Sequence, residues 1–201
     1  MTPTKLKFGP ADHGRPVTAD ELEDAEYDEG FRYEIIDGRF FVSPQPSFYE
    51  HSLEQWLTDK LKAFAKARPD VIGWVATKAR VFVPDRPELT VPEPDLAVYR
   101  ENLNDLADGE RDWPDFHPVV VADVLVENDP EKDLVRNVDL YHQVPSIIEY
   151  WILDGRASTA RPQLIVHRRW GKGWRVHTYT YGETCTTRTL PGFELFIDPR
   201  R

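Results

Sequence analysis

A single cysteine, Cys185, in 201 residues excludes an intramolecular disulfide and any zinc site built on several thiolates. Such a chain suits a reducing compartment, so a cytoplasmic location is expected. No apolar run approaches the roughly 20 residues of a membrane helix, and the opening "MTPTKLKFGPADHGRPVTADELEDAEYDEG" lacks a run of signal-peptide length. Positive charge is also in short supply. The 25 Lys and Arg face 35 Asp and Glu, for a formal net charge of −10. This argues against tight non-specific binding of nucleic acid through bulk charge, because clustered cations supply phosphate affinity. There is no Walker-type loop, dinucleotide fingerprint or G-x-S-x-G elbow. His13, His51, His117, His142, His167 and His177 show neither i,i+4 pairing nor the Cys/His spacing of a zinc site. Cys185, in "GETCTTRT", carries no nucleophile signature and is expected to be inert.

What is present points to a folded globule: 40% hydrophobic residues, with ten Phe, eight Tyr and six Trp. Residues 1–16, rich in Pro, Gly and Lys, read as a flexible tail, and 17–201 as one domain with a sizeable core. Thr18 with Glu21 makes a capping box for a short acidic helix. "FRYEIIDGRFFVSP" reads as a hairpin turning at Asp37-Gly38. Ser47 caps a long amphipathic helix to about Ala67, with Leu53, Trp56, Leu57, Leu61, Phe64 and Ala65 recurring at helical spacing.

"VIGWVATKARVFVP" and "LTVPEPDLAVYR" read as extended segments, with Pro92 and Pro94 confining the second to a strand entry. Residues 100–118 read as a loop with one helical turn at most. After the aliphatic strand in "VVVADVLVEND", Asp129 is a candidate cap for a second helix carrying Leu134, Val138 and Tyr141 on one face. "IIEYWILD" is a further strand, "QLIVHRRWGKGWRVHTYTYGE" a hairpin, and "LPGFELFIDP" closes the chain. The fold class is α/β, a mixed β-sheet flanked by helices with an antiparallel C-terminal hairpin.

Three acids stand on these strands: Glu34, Asp95 and Asp123. A carboxylate among valines costs several kcal/mol or more unless it has a partner, a proton or a metal. Asp123 either meets that cost with a partner or lies at the wet end of its strand. If the strands of Asp95 and Asp123 are neighbours, the two carboxylates converge, and oxygen-only sites of this kind suit Mg²⁺ or Mn²⁺ and phosphodiester hydrolysis. His51, one turn into the long helix, is the histidine worth keeping. Arg161, His167, Arg168, Arg169, Lys172, Arg175 and His177, interleaved with Trp170 and Trp174, either track a phosphate backbone or form a solvated hairpin.

Together, "TADELE", "RYEIIDGRFFVSPQPSFYEHS", "PEPDLAVYR", "PVVVADVLVEND", "KDLVRNVDLYHQVPSIIEYWILD" and "LPGFELFID" give the chain a resemblance, from about Thr18 to Pro199, to a bacterial restriction endonuclease family often called Uma-type, within the PD-(D/E)XK nuclease superfamily. The resemblance implies a restriction-endonuclease-like core and metal-dependent hydrolysis of DNA. It implies Asp95 and Asp123 as Mg²⁺ or Mn²⁺ ligands, Glu34 as an auxiliary ligand or water orienter, and His51 at a position where family members carry histidine. DNA is the implied substrate, no membrane is involved, and a homodimer would suit a nuclease that cuts both strands.

The family pattern prefers glutamate where Asp123 stands and lysine where Asn137 stands, and Leu125 occupies the orthodox lysine position two residues past the second acid. Arg136 is expected to point about 100° away around the helix from Asn137. The missing ammonium then falls to Lys78 or Lys132. The alternative to an enzyme is a catalytically impaired nuclease-fold module that binds nucleic acid or a protein partner.

Overall fold

Local signals and long-range packing share the work of building this chain, for which a computed structural model describes residues 6–102, 113–126 and 131–201. β1 (Lys7–Phe8) pairs in parallel with β2 (Glu26–Tyr27). Between them Thr18 caps α1 (Ala19–Asp24) and Glu21 accepts from the Thr18 backbone N–H, the expected capping box. β3 (Phe31–Ile36) and β4 (Arg39–Pro44) form the expected hairpin. Its turn places Asp37 at φ 50° and Gly38 at φ 71°, the left-handed pair that joins two strands through two residues. Ser47 accepts from the Glu50 N–H and starts α2 (Phe48–Ala67), which buries Leu53, Trp56, Leu57 and Leu61.

There follow β5 (Trp74–Thr77), β6 (Leu96–Tyr99), β7 (Val120–Leu125), a π-helical turn (Lys132–Arg136), α3 (Asn137–Gln143) and β8 (Glu149–Asp154). β9 (Gln163–Trp170) and β10 (Gly173–Tyr179) make the C-terminal hairpin, and β11 (Thr184–Thr186) pairs with β12 (Glu194–Phe196). The six-stranded sheet runs β10-β9-β8-β7-β6-β5. Only β7 and β8 are parallel neighbours, and the crossover between them carries the π-turn and α3. One face packs on α2 through Val98, Val120, Ala122 and Trp151; the other packs Val121, Leu125 and Ile152 against Leu140 and Tyr141.

Three expectations change. Residues 6–16 are not a loose tail: Phe8 is fully buried against Phe40, 4.5 Å between rings, and Pro16 bridges to Arg39. Burying that one ring contributes about 2–3 kcal/mol, enough to hold a short segment down. The extended stretch after α2 is also not one strand. Lys78 adopts φ 53° and ends β5, after which Val81 and Val83 donate to the Pro92 and Thr90 carbonyls as a separate ladder.

The second helix, finally, opens with a π-turn before becoming α-helical at Asn137. Its proposed cap, Asp129, lies outside the described residues, as does most of the loop expected over 100–118, whose described end holds a 3-10 turn at Trp113–Asp115. No helix among the described residues is long and apolar enough to cross a membrane.

Candidate active site

β6 and β7 pair with Leu96 opposite Ala122, which sets Asp95 across from Asp123 on the face that carries Ala97, Tyr99, Val121 and Leu125. Both aspartates are only 3% exposed, so Asp123 is no wet strand end. Each braces the other's strand. The Asp95 N–H donates to Asp123 Oδ1 (3.2 Å), and Asp95 Oδ2 accepts from the Val124 N–H (2.7 Å). Two adjacent buried anions are costly unless matched. Arg32 Nη1 meets Asp95 Oδ1 at 2.5 Å, while Asn137 Nδ2 (3.1 Å) and the Tyr150 hydroxyl (2.7 Å) donate to Asp123 Oδ2. Burial, then the neighbouring Asp95, pushes the Asp123 carboxyl up. Burial and Asp123 hold Tyr150 as a neutral phenol that keeps its proton to donate.

Glu34 stands two residues past Arg32 on β3 and so shares its face. It accepts two bonds from Arg136 Nη2 (3.1 and 2.9 Å) and one from the Glu93 N–H (3.3 Å), and Lys132 Nζ lies 3.3 Å from Oε2. Burial works to raise Glu34, but Lys132 and Arg136 outweigh it and hold the carboxyl below the usual range. Lys132 itself is squeezed the other way. Burial disfavours its charge, yet Glu34, Asp133, Asp123 and Asp95 outweigh burial, and the ammonium holds its proton more tightly than an ordinary lysine. Lys132 thus pairs with Glu34 and feels both aspartates at longer range. Lys78, the other lysine considered, is exposed and donates to Gln45 Oε1 at 3.2 Å.

The π-turn explains how Lys132 and Arg136 both reach Glu34. A widened turn shifts side chains from their α-helical bearings, and Arg136, expected to point away, instead donates from Nε to Asn137 Oδ1 (3.0 Å) as well as to Glu34. The Asn137 amide spans Asp123 and Asp133, donating to Asp133 Oδ1 at 3.1 Å. Burial and then Asp123 push Asp133 up. Outside this cluster, Phe41, Glu131, Lys132, Val135 and Arg136 line a cavity of about 450 Å³.

On the α2 side, Glu54 and Glu50 stand 3.7 and 3.9 Å from Arg32 Nη2, too far for hydrogen bonds, and Arg32 Nε and Nη2 are buried with no hydrogen-bond partner. Burial, then Asp95, raises Glu54. His51 is exposed on the first turn of α2, and among the described residues it hydrogen-bonds to neither aspartate through its ring. The structure therefore brings Asp95 and Asp123 together, joins Glu34 to Asp123 through Arg136 and Asn137, and leaves His51 at the rim.

Magnesium requires near-octahedral oxygen ligands at about 2.1 Å with lone pairs to spare. The acids are of the right chemistry, but their arrangement does not fit: the positive charge between Asp95 and Glu54 is the Arg32 guanidinium, and Asp123 Oδ2 already accepts from both Asn137 and Tyr150. Among the described residues no three His, Cys, Asp or Glu side chains form a metal-binding group. Cys185 is buried, and burial pushes its thiol up to about 11, as an inert cysteine requires.

Arg32, Asp133, Tyr150 and Glu54 were not singled out in the sequence. Arg32 had a usable signal, because i and i+2 on a strand share a face with Glu34. Asp133 had one too, at i,i+4 from Asn137. For Tyr150 and Glu54 the local pattern says only that they sit in buried elements.

The sequence model of the Uma2 family, described as "Putative restriction endonuclease", matches residues 19–198. Among solved structures, the crystal structure of a "putative nuclease belonging to DUF820" from Anabaena variabilis is similar with a TM-score of 0.66 at 16% identity, covering 92% of this chain and 96% of that one. At that identity the likeness is one of fold. No curated protein matches.

Proposed function

Since this chain belongs to the Uma2 family, we propose that it is a nuclease whose Asp95–Asp123 centre acts on the phosphodiester bonds of DNA, with Lys132 supplying the ammonium that Asn137 and Leu125 do not. One observation carries the reading. A buried acid pair on adjacent strands is hydrogen-bonded through Asn137 to Arg136, which lines an open cavity together with Lys132. In this reading a phosphate enters the cavity and meets Lys132 and Arg136, whose charges stabilise negative charge developing on its oxygens. Asp123, with its raised proton affinity, is assigned as the base for the attacking water, a role that requires Asn137 or Tyr150 to release Oδ2 and water to reach it from the cavity. Glu34 holds both cations in place.

The family resemblance implies Mg²⁺ or Mn²⁺ at Asp95, Asp123 and Glu34. Those oxygens carry Arg32, Asn137, Tyr150, Lys132 and Arg136, so the steps above are assigned to the chain's own residues alone.

Incubation of supercoiled plasmid and single-stranded DNA with the protein, in Mg²⁺, Mn²⁺ or EDTA, tests the reading. Wild type is expected to nick, and Asp95→Asn and Asp123→Asn to lose the activity. Cleavage undiminished in both variants removes the site assignment. If wild type cuts under none of these conditions, the second reading takes over: a nuclease-fold module that binds without cutting. The observation favouring it is the Asn137 amide locked between Asp123 and Asp133 where the family carries lysine.

A further inference from the structure

A second place in the molecule gathers more cations than acids. Its cleft, about 560 Å³, lies where β9 and β10 end beside the segment after β11, and its walls include Glu149, Arg168, Trp170, Arg175 and Arg188. Arg168 and Arg175 are cross-strand partners, so they share a face with Trp170 and with Leu164 and Val166, which pack into the core on the α2 side. Asp123 shares its face with Val121 and Leu125, on the opposite side of the sheet and two strands away. The cleft is therefore not the acid centre's entrance.

In a chain with ten more acids than bases, most arginines are matched, and inside the cleft the matching is complete at the floor. Glu149 accepts from Arg168 Nε (3.0 Å), Trp151 Nε1 (2.8 Å) and Thr187 Oγ1 (2.6 Å), which leaves the Glu149 carboxylate fully engaged. Arg175 and Arg188 differ. Both are exposed, and among the described residues neither has a carboxylate partner. Arg175 sits over Trp170, its guanidinium carbon 4.0 Å from the ring centroid, and Trp170 is 65% exposed, which leaves the far face to solvent. An indole with one face backed by a guanidinium and the other in solvent is a platform for a flat, electron-rich ring. Two unmatched guanidinium groups in the same cleft suit a phosphate, which Arg binds through paired N–H donors.

We infer that this cleft is a second binding site, for a nucleoside phosphate whose base stacks on the open face of Trp170 and whose phosphate is held by Arg175 and Arg188. The ligand is either a free nucleotide or one unit of a single strand. The site lies on the other face from the Asp95–Asp123 centre, and its occupancy is read as binding, without any cleavage.

Fluorescence anisotropy of a labelled oligodeoxythymidylate in EDTA, titrated with the full chain at several salt concentrations, tests it. Arg175→Ala/Arg188→Ala is expected to weaken binding at least tenfold. The double variant should also flatten the log–log salt dependence by about 1.4, the loss of two single-strand phosphate contacts. Trp170→Ala should weaken binding by about fivefold or more, and Trp170→Phe should restore most of it. Displacement of the probe by AMP identifies a free nucleotide as a sufficient ligand; retention of the probe against excess AMP identifies the strand. Unchanged affinity and salt slope in the double variant overturn the inference. Because the assay contains no divalent cation, failure here is separate from failure of the nuclease reading.

Discussion

Arg32 on β3 and Arg175 on β10 put the same guanidinium to opposite uses. Arg32 is buried among Asp95, Glu54 and Glu50, and its charge is consumed by the fold. Arg175 lies in solvent on Trp170 with no acid among the described residues to answer it, and its charge remains available to something outside. The comparison extends to the surroundings. All four oxygens of Asp95 and Asp123 accept hydrogen bonds, and the cations Lys132 and Arg136 are pinned by Glu34. Around Trp170 only the floor is pinned, by Glu149 and Arg168. Buried charge fixes geometry, whereas unmatched exposed charge advertises a ligand.

The largest effect expected from breaking this contrast comes from Arg32→Ala, which leaves Asp95 buried without its counter-ion. A loss of about 3–5 kcal/mol should appear in urea unfolding. Arg175→Ala, measured alongside, should leave the unfolding midpoint in place because the residue is exposed and, among the described residues, outside any ion pair. Equal losses in the two variants would erase the distinction between them.

Glu93 sharpens the same contrast through pH. Burial, and then Glu34, lift its carboxyl from 4.5 to about 7, against the pull of Arg80. The folded state therefore holds this proton more tightly than the unfolded chain does. That contribution to stability is fully present below pH 4.5 and is lost as pH rises to about 7. The shift corresponds to about 3 kcal/mol. Glu93→Gln should accordingly melt like wild type at pH 4.5 and above it at pH 8. Parallel melting curves for the two proteins across that range would show that Glu93 is not buried in this way.

Much of the scaffold was legible because its signals are local. The Asp37-Gly38 turn, the Ser47 and Thr18 caps and the apolar stripe of α2 each act within a few residues, and each stands where expected. So was the meeting of Asp95 and Asp123, since strand alternation dictates which residues share a face once the strands are neighbours. What stayed hidden depends on distance along the chain. Arg32 reaches Asp95 across 63 positions and Arg136 reaches Glu34 across 102, and no local pattern encodes such partners. Phe8 illustrates the same limit: its tail reads as polar and loose, and only the β3–β4 hairpin gives the ring somewhere to go. The π-turn is the remaining case, because a single widened turn leaves the apolar spacing of Leu134, Val138 and Tyr141 intact while re-aiming Lys132 and Arg136.

In the proposed reaction Lys132 takes over the role of the lysine absent at Asn137. That role is tested most directly by cleavage rates of wild type, Lys132→Met and the double variant Lys132→Met/Asn137→Lys on the same plasmid. The account predicts a loss of about 100-fold or more for the single variant, the usual cost of removing one group that stabilises transition-state charge. It also predicts substantial recovery when lysine is placed at 137, whose side chain already touches Asp123. A Lys132→Met protein that cuts as fast as wild type would contradict it.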